Sequence, residues 1–486
     1  MTGDDDTLRE ACGVFGIYAP GELVAHLTYD GLYALQHRGQ ESAGMAVSDG
    51  VELMVVKDMG LVTQVFSDHT LMALQGHLAV GHTRYSTTGS SVWQHAQPVH
   101  RSVERPGGQA HFALGHNGNL TNTSALVDEM GVLPGTIGSD SEVVAELLAR
   151  SMAAGTTLEA AMLGVLPSLE GAFTLVLTDG GSVFGVRDPN GFRPLCLGRL
   201  GATGWVLASE SPALDVIGAT FVREVEPGEM VVLGAVGVRS LRPFPPSRVD
   251  PRLCVFEFVY FARPDAVLAG REVHGARQRM GELLAKETPL PPPLPGNEAC
   301  PAMVMGVPDS GIPASEGFAR ASGIAYGQGL VKNRYIGRTF ISPDQRQRDR
   351  GVRRKLNPLR ENIAGKRLVV LDDSIVRGTT SMQMVAMLRE AGAAEVHLRI
   401  TSPPYRWPCF YGMDTGDPAE LIAARMTVDE IARHINVDSL AYLSIGLLLE
   451  AVRARDGRGF CTACLTGDYP TEVPVGLHKG VLEAIV

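Results

Sequence analysis

Cysteine is scarce in this chain of 486 residues, which carries only seven. So few thiols exclude a disulfide-stapled scaffold and point to a reduced, cytoplasmic setting in which any special cysteine serves chemistry. Membrane-length apolar runs are lacking, and "SLAYLSIGLLLEAV" at 439–452 reads as a buried helix. Excess positive charge is lacking too. The 43 Lys and Arg face 53 Asp and Glu, a net charge of −10, which disfavours a general nucleic-acid or acidic-membrane binder while leaving local basic sites possible. The opening "MTGDDDTLRE" has neither a basic n-region nor an apolar h-region, so it is not a secretory signal. No internal repeat is visible. What remains is ordinary globular composition, 45% hydrophobic and 20% charged, in a chain long enough for two domains or more.

Residues 12–241 alternate short β-rich runs with turns, among them "CGVFGIYA", "ESAGMAVSDG", "HFALGHNGNL" and "GAFTLVLTDGG". Helical patterns occupy 22–36 and 139–153, the second opening on cap-type residues before an apolar stripe. This is a strand-rich layered α+β domain. "RPFPPSRVDP" then breaks the pattern with its prolines, and 242–255 reads as a linker. Over 256–450 the texture becomes α/β: "AMVMGVPDSG", "RLVVLDDS" and "EVHLRITSP" are apolar strands with helical segments between them, the rhythm of a parallel sheet. "TPLPPPLPG" at 288–296 reads as an exposed loop within this half, and 451–486 is a cysteine-bearing tail.

The most specific stretch is "RLVVLDDSIVRGTTSMQMVAML". A central strand ends in Asp372 and Asp373, "SIVRGTT" turns, and a helix follows. Ligands of parallel sheets bind outside the carboxyl ends of the strands. There the main chain of Arg377, Gly378, Thr379 and Thr380, with the Thr hydroxyls and the helix start, suits a dianionic phosphate. Two adjacent acids suit ribose hydroxyls and a hydrated Mg²⁺. A lone Asp pair is usually just an acidic strand end, but the whole pattern resembles the phosphoribosylpyrophosphate (PRPP) loop of type I phosphoribosyltransferases. "VPDSG" offers Ser310 as a metal or pyrophosphate contact. Residues 332–360, beginning at Lys332, hold ten basic residues against Asp344 and Asp349. Alone such a run is usually a solvated loop; beside a PRPP loop it reads as a lid over pyrophosphate.

Polar clusters recur through the first half: "LQHRGQESAG", "GHTRYSTTG", "GHNGNL" and "GSDSE". They suit amide-nitrogen transfer, which needs a nucleophile, a base and oxyanion donors. Arg84 suits the α-carboxylate of glutamine and Asp140 its ammonium. Asn117 and Gly118 suit the oxyanion, and Arg38 suits ordering the site. Cys12 has no obvious histidine base, since His82 and His116 read as structural hydrogen-bonders. A cysteine at a mature N-terminus carries its own base in the α-amine, whose pKa lies near 8. That reading makes 1–11 a propeptide, removed by attack of the Cys12 thiol on the Ala11 carbonyl.

With "CGVFGIYA", "LQHRGQESAG", "GHTRYSTTG", "GHNGNL", "FEFVYFARPD", "KNRYIGRTF" and "VVLDDSIVRGTT" in this order, the chain resembles the amidophosphoribosyltransferase family over nearly its whole length. The resemblance implies an αββα N-terminal-nucleophile glutaminase fused to a type I phosphoribosyltransferase. Ammonia from glutamine would pass internally to PRPP, giving 5-phosphoribosylamine at the committed step of purine synthesis. It further implies a homotetramer inhibited by purine nucleotides, with Tyr260 near the domain boundary. Cys254, Cys409, Cys461 and Cys464, the last two as C-x₂-C, suit Zn²⁺ or an iron–sulfur cluster, and spacing alone does not separate these. The resemblance favours a structural [4Fe–4S] cluster, because one branch of the family combines it with a cleaved leader. Cys196 and Cys300 read as separate thiols. A different glutamine amidotransferase, or a non-catalytic PRPP-sensing regulator, is the competing reading. The PRPP loop argues against the first, and Cys12, Arg84 and Asp140 against the second.

Overall fold

A computed structural model of the chain describes residues 12–85, 91–131, 137–333, 355–413, 415, 418–453 and 459–474. The first half is a stack of four layers. Its seven-stranded antiparallel sheet runs, in spatial order, Thr220–Glu224, Cys196–Leu200, Gly204–Ala208, Gly13–Tyr18, Leu78–Arg84, Ser42–Ser48 and Leu53–Met59. The facing six-stranded antiparallel sheet runs Gly237–Leu241, Met230–Gly234, Val183–Arg187, Gly171–Thr178, Gly108–Leu120 and Val99–Arg105. The Gly13–Tyr18 strand shows why both sheets are buried on two faces. Val14 and Tyr18 point into the core between the sheets, while Phe15 and Ile17 point into a second core. That second core is shared with the Val24–Ala34 helix, through Val24, Ala25, Leu32 and Ala34. Between them Gly16 lets the sheets close up, since a Cβ there would lie 2.7 Å from Val176 Cγ1.

On the outer face of the six-stranded sheet lie the helices Asp140–Ala153 and Leu158–Val165, packed through Val143, Val144, Leu148 and Met162 on Phe112, Phe173 and Phe184. Ser139 starts the first of these helices by accepting a hydrogen bond from the Glu142 N–H, and Asp140 and Glu142 put negative charge at its amino end.

The second half is built on a four-stranded parallel sheet in the order Ala302–Gly306, Arg367–Asp372, Glu395–Ile400, Ser439–Tyr442. In the Arg367–Asp372 strand, Val369 and Leu371 face a core formed with the helices Val273–Glu287 and Gly311–Ser322. Leu368 and Val370 face the opposite core with the Thr379–Glu390 helix. A strand covered on both sides must be apolar throughout, hence "LVVL".

One expectation changes. The run at 439–452 is not one buried helix. Its first residues form the edge strand Ser439–Tyr442, paired in parallel with His397–Ile400, and only Ile445–Ala451 is helical. A short apolar run has no decisive period, and here sheet pairing takes half of it. Residues 242–255, read as a linker, are packed on both sides. Phe244 is buried in the first half's core, and Arg252–Cys254 is a strand pairing in parallel with Gly459–Cys461 of the tail. Among the described residues, no helix is long and apolar enough to cross a membrane.

The helices Val273–Glu287 and Gly311–Ser322 touch backbone to backbone. A Cβ on Gly281 would lie 1.8 Å from the Ala314 carbonyl oxygen, and one on Gly317 1.9 Å from that of Gln278. Gly281→Ala should therefore push the pair apart and destabilise this half by about 1–3 kcal/mol, read as an earlier thermal unfolding transition. An unchanged transition would contradict the close approach.

Candidate active sites

Cys12 stands immediately before the Gly13–Tyr18 strand and is buried. Its Sγ donates to the Tyr85 carbonyl oxygen at 3.2 Å and accepts from the Tyr85 N–H at 3.4 Å. Burial pushes the thiol up to about 11, against the lowering influence of the Tyr85 backbone and the Arg84 charge. Glu41 and Asp140 raise it further. The residues expected to grip the two ends of an amino acid, Arg84 and Asp140, thus both act electrostatically on the Cys12 thiol. Arg84 ends the Leu78–Arg84 strand, and Asp140 opens its helix; both are buried. Asp140 Oδ2 accepts from the Leu120 N–H at 3.2 Å, tying the helix start to the strand that carries Asn117 and Gly118.

Asn117 is fully buried, and among the described residues neither its side-chain nitrogen nor its oxygen has a hydrogen-bond partner. A buried amide left unsatisfied costs free energy until a ligand supplies a partner. Gly118 has a φ of 148°, and a Cβ there would sit 2.1 Å from the Ala172 carbonyl oxygen, so only glycine fits. The histidines behave as structural groups. His82 Nε2 lies 2.9 Å from the His116 carbonyl oxygen, and burial drives its ring down to about 3. His116 Nδ1 meets Ser141 Oγ at 3.1 Å. Gln97, which no sequence motif marks, accepts from the His116 N–H at 2.7 Å and donates to Ser141 Oγ at 3.0 Å, bracing the same strand.

Arg38 braces Cys12 from behind. Its Nε donates to the Cys12 carbonyl oxygen at 3.1 Å, and its other nitrogens reach Glu210 at 2.5 Å and Glu257 at 2.8 and 3.0 Å. Glu257 belongs to "FEFVYFARPD" in the second half and also accepts from Arg193 at 3.2 Å. All four side chains are fully buried. Burial alone would favour a neutral Arg38, but Glu257 and Glu210 reverse that and raise its pKa. Arg193 and Glu257 escaped the sequence reading. A carboxylate amid aromatics was the available signal, since such a group is buried only when paired.

In the second half, Asp372 ends its strand, and Asp373, the next residue, is buried. Burial raises the Asp373 carboxyl, while hydrogen bonds from the hydroxyls of Ser310 and Ser374 and the charge of Arg277 pull it down. Ser310 therefore does meet the acid pair. Arg277, which sequence reasoning missed, is buried behind it and donates to the carbonyls of Phe258 and Ala262 at 2.8 and 2.9 Å. Arg377 pairs with Glu420. Gly378 is the left-handed N-cap, with φ 88°, of the helix that Thr379 and Thr380 open. Lys332, half exposed, pairs with Asp309 at 2.6 Å. It ends the strand Leu330–Lys332, which pairs with Leu356–Pro358 at the base of the basic segment. Residues 334–354 of that segment and the leader 1–11 lie outside the described residues.

Four cysteines from separate segments converge. Cys254 and Cys461 are register partners of parallel strands, the Cys464 carbonyl accepts from the Arg406 and Trp407 N–H groups, and the Tyr411 N–H donates to Cys409 Sγ at 3.4 Å. Burial pushes the Cys254 thiol up to about 12, with Cys409 raising it further; Cys464 is raised by burial and by all three others. Cys196 is buried alone in the first half's core. Among the described residues, no group of three or more His, Cys, Asp or Glu side chains is placed to hold a metal ion.

Residues 82–216 match the glutamine amidotransferase domain family. The amidophosphoribosyltransferase of Mycobacterium tuberculosis (strain H37Rv) is 52% identical, with 99% of this chain and 90% of that one aligned. The chain belongs to the amidophosphoribosyltransferase family. The Bacillus subtilis (strain 168) family member is 44% identical, with 97% of each chain aligned. The solved glutamine PRPP amidotransferase from B. subtilis, complexed with ADP and GMP, superposes with a TM-score of 0.86 at 43% identity, covering 97% of this chain and all of that one. The family's reaction is the first step of purine biosynthesis, in which ammonia released from glutamine replaces the pyrophosphate of PRPP. Its αββα nucleophile domain followed by a phosphoribosyltransferase sheet is the architecture of this chain.

While Cys12 remains in peptide linkage to Ala11, its thiol should titrate near the raised value of about 11. The iodoacetamide alkylation rate of such a chain is then expected to climb without a plateau up to the highest pH the fold tolerates. A plateau near neutral pH in the unprocessed chain would show that burial does not control this thiol.

Proposed function

We propose that Cys12 is the glutaminase nucleophile and that the strand end at Asp372 and Asp373 is the PRPP site. The observation that carries the reading is that a buried cation, Arg84, and a buried anion, Asp140, act on the same buried thiol, beside a second anion, Glu41. Arg84 pairs with the α-carboxylate of glutamine and Asp140 with its α-ammonium, which sets the side-chain amide against Cys12. The sulfur attacks the amide carbon, and Asn117 Nδ2 with the Gly118 N–H stabilises the oxyanion. Ammonia leaves, and water hydrolyses the thioester to glutamate. A thiol raised by burial needs a nearby base, and the α-amine freed by removal of 1–11 is one with a pKa near 8.

In the second half, Arg377, Gly378, Thr379 and Thr380 take the 5′-phosphate at the helix start. Asp372 and Asp373 hold the ribose hydroxyls, and Lys332 approaches the pyrophosphate. The carboxylates and the Ser310 hydroxyl are hard oxygen donors and fit Mg²⁺, which is commonly held by one or two carboxylates plus waters and substrate phosphates. When bound, the ion supplies charge neutralisation for the departing pyrophosphate. Of the four cysteines, Cys254, Cys461 and Cys464 are buried and Cys409 is half-buried; an all-thiol set with no carboxylate among the four suits a [4Fe–4S] cluster. Cys254, Cys409, Cys461 and Cys464 would then fasten the tail to the join between the halves. By extension from the B. subtilis complex, the chain binds purine nucleotides such as ADP and GMP; the family resemblance extends this reading to inhibition by them and to a cytoplasmic homotetramer.

Cys12→Ala should abolish glutamine-dependent synthesis and leave ammonia-dependent synthesis running. Asp372→Asn combined with Asp373→Asn should remove both. Glutamine turnover surviving in Cys12→Ala, or ammonia-dependent turnover surviving in the double variant, would sink the corresponding site.

Anaerobically purified protein is expected to carry about four iron and four sulfide per chain, and Cys461→Ser to lose them together with thermal stability. Zinc without sulfide would refute the cluster.

A further inference from the structure

The oxyanion strand of the first half is not supported by the first half alone. Asn119, next to Gly118, donates through Nδ2 to the Phe410 carbonyl oxygen at 3.0 Å. Gly412 lies against Gly118 itself. Its φ is 108°, and a Cβ built there would stand 3.3 Å from the Gly118 carbonyl carbon, 3.4 Å from its Cα and 3.0 Å from Arg193 Nη2. Between them, Tyr411 stacks on Phe192 with ring centroids 4.2 Å apart, and its carbonyl oxygen accepts from Arg193 Nη2 at 3.0 Å. Residues 410–412 are thus pinned to the first half at three consecutive positions. On its other side, the Gly118 backbone is confined by the Ala172 carbonyl oxygen, which a Cβ at 118 would approach to 2.1 Å. The strand turn that carries Asn117 and Gly118 is held between Ala172 and a loop of the phosphoribosyl half.

We propose that Asn119 and Gly412 are positioning residues for glutamine hydrolysis: the 410–412 loop is the back wall that fixes the oxyanion donors. This rests on the assignment of Asn117 and Gly118 as those donors. A donor must sit where the charge develops, and small displacements are expensive, about a hundredfold for 1 Å. An oxyanion forms only in the transition state, so misplacing its donors lowers kcat and spares KM. Nothing in this contact touches the PRPP site, so synthesis from free ammonia keeps its rate.

The test compares Asn119→Ala, Gly412→Ala and Asn117→Ala in the full chain, each assayed for glutamine hydrolysis with PRPP present and for synthesis from ammonia. Asn119→Ala removes the hydrogen bond to Phe410, and Gly412→Ala forces a Cβ towards Gly118 at a φ unsuited to alanine. Both are expected to lose about tenfold or more in kcat for glutamine, with KM for glutamine and the ammonia-dependent rate held within about a factor of two. Asn119→Ala decides the matter, since it adds no bulk and no backbone strain. Glutamine kcat held in that variant, or both reactions falling together, overturns the proposal. Asn117→Ala separates the two levels. If it retains glutamine turnover, the oxyanion assignment itself fails and the back wall falls with it. If it loses turnover while Asn119→Ala does not, only the back wall falls.

Discussion

Two arginines and two glutamates lie wholly out of water where the halves meet, and they constrain how the halves can part. Stripping water from an ion costs several kcal/mol, and removing one partner from such a group costs about 3–5 kcal/mol because its neighbours are left charged and bare. Glu257, from the second half, sits between Arg38 and Arg193 of the first. The halves therefore cannot separate without stranding charge on both sides. Arg38 also holds the Cys12 carbonyl oxygen, so the position of Cys12 is tied to the charge balance that closes the join.

The two chemistries ask opposite things of their surroundings. The proposed PRPP site would take a ligand rich in negative charge at the open end of a sheet, where a left-handed Gly378 turns the main chain into a helix start. The proposed glutamine site must exclude water, and burial surrounds it: a fully enclosed Asn117, a fully enclosed His82 kept neutral, and a thiol raised by desolvation. Burial that makes an oxyanion donor strong also makes a thiol unreactive. This is the physical reason for assigning Cys12 a base of its own.

Much of this was legible in the sequence where chemistry is contiguous. "VVLDDSIVRGTT" holds strand, acids, turn and helix start in one local stretch, and the fold only had to place Ser310 beside it. The layers of the first half could be read from strand-like runs, and the Asp140 helix from Ser139 and its acidic first turn. What stayed hidden depends on pairing across the chain. Arg38 with Glu257, Arg193 with the Tyr411 carbonyl, and Asn119 with the Phe410 carbonyl have no local pattern, because each partner looks like an ordinary polar residue in its own segment. The run at 439–452 misled for a different reason: it is apolar throughout, and only its neighbour in the sheet decides which part is strand.

The pairing of Arg252–Cys254 with Gly459–Cys461 joins segments separated by almost the whole second half. On a ribosome, the first partner emerges long before the second. The strand at 252–254 must wait with an unpaired edge while the parallel sheet is still being made, and unpaired edges are where chains pair wrongly. Closing a loop of that length costs little more entropy than closing a short one. The burden is time rather than free energy, and it falls on the cell's chaperones during the seconds before the tail arrives.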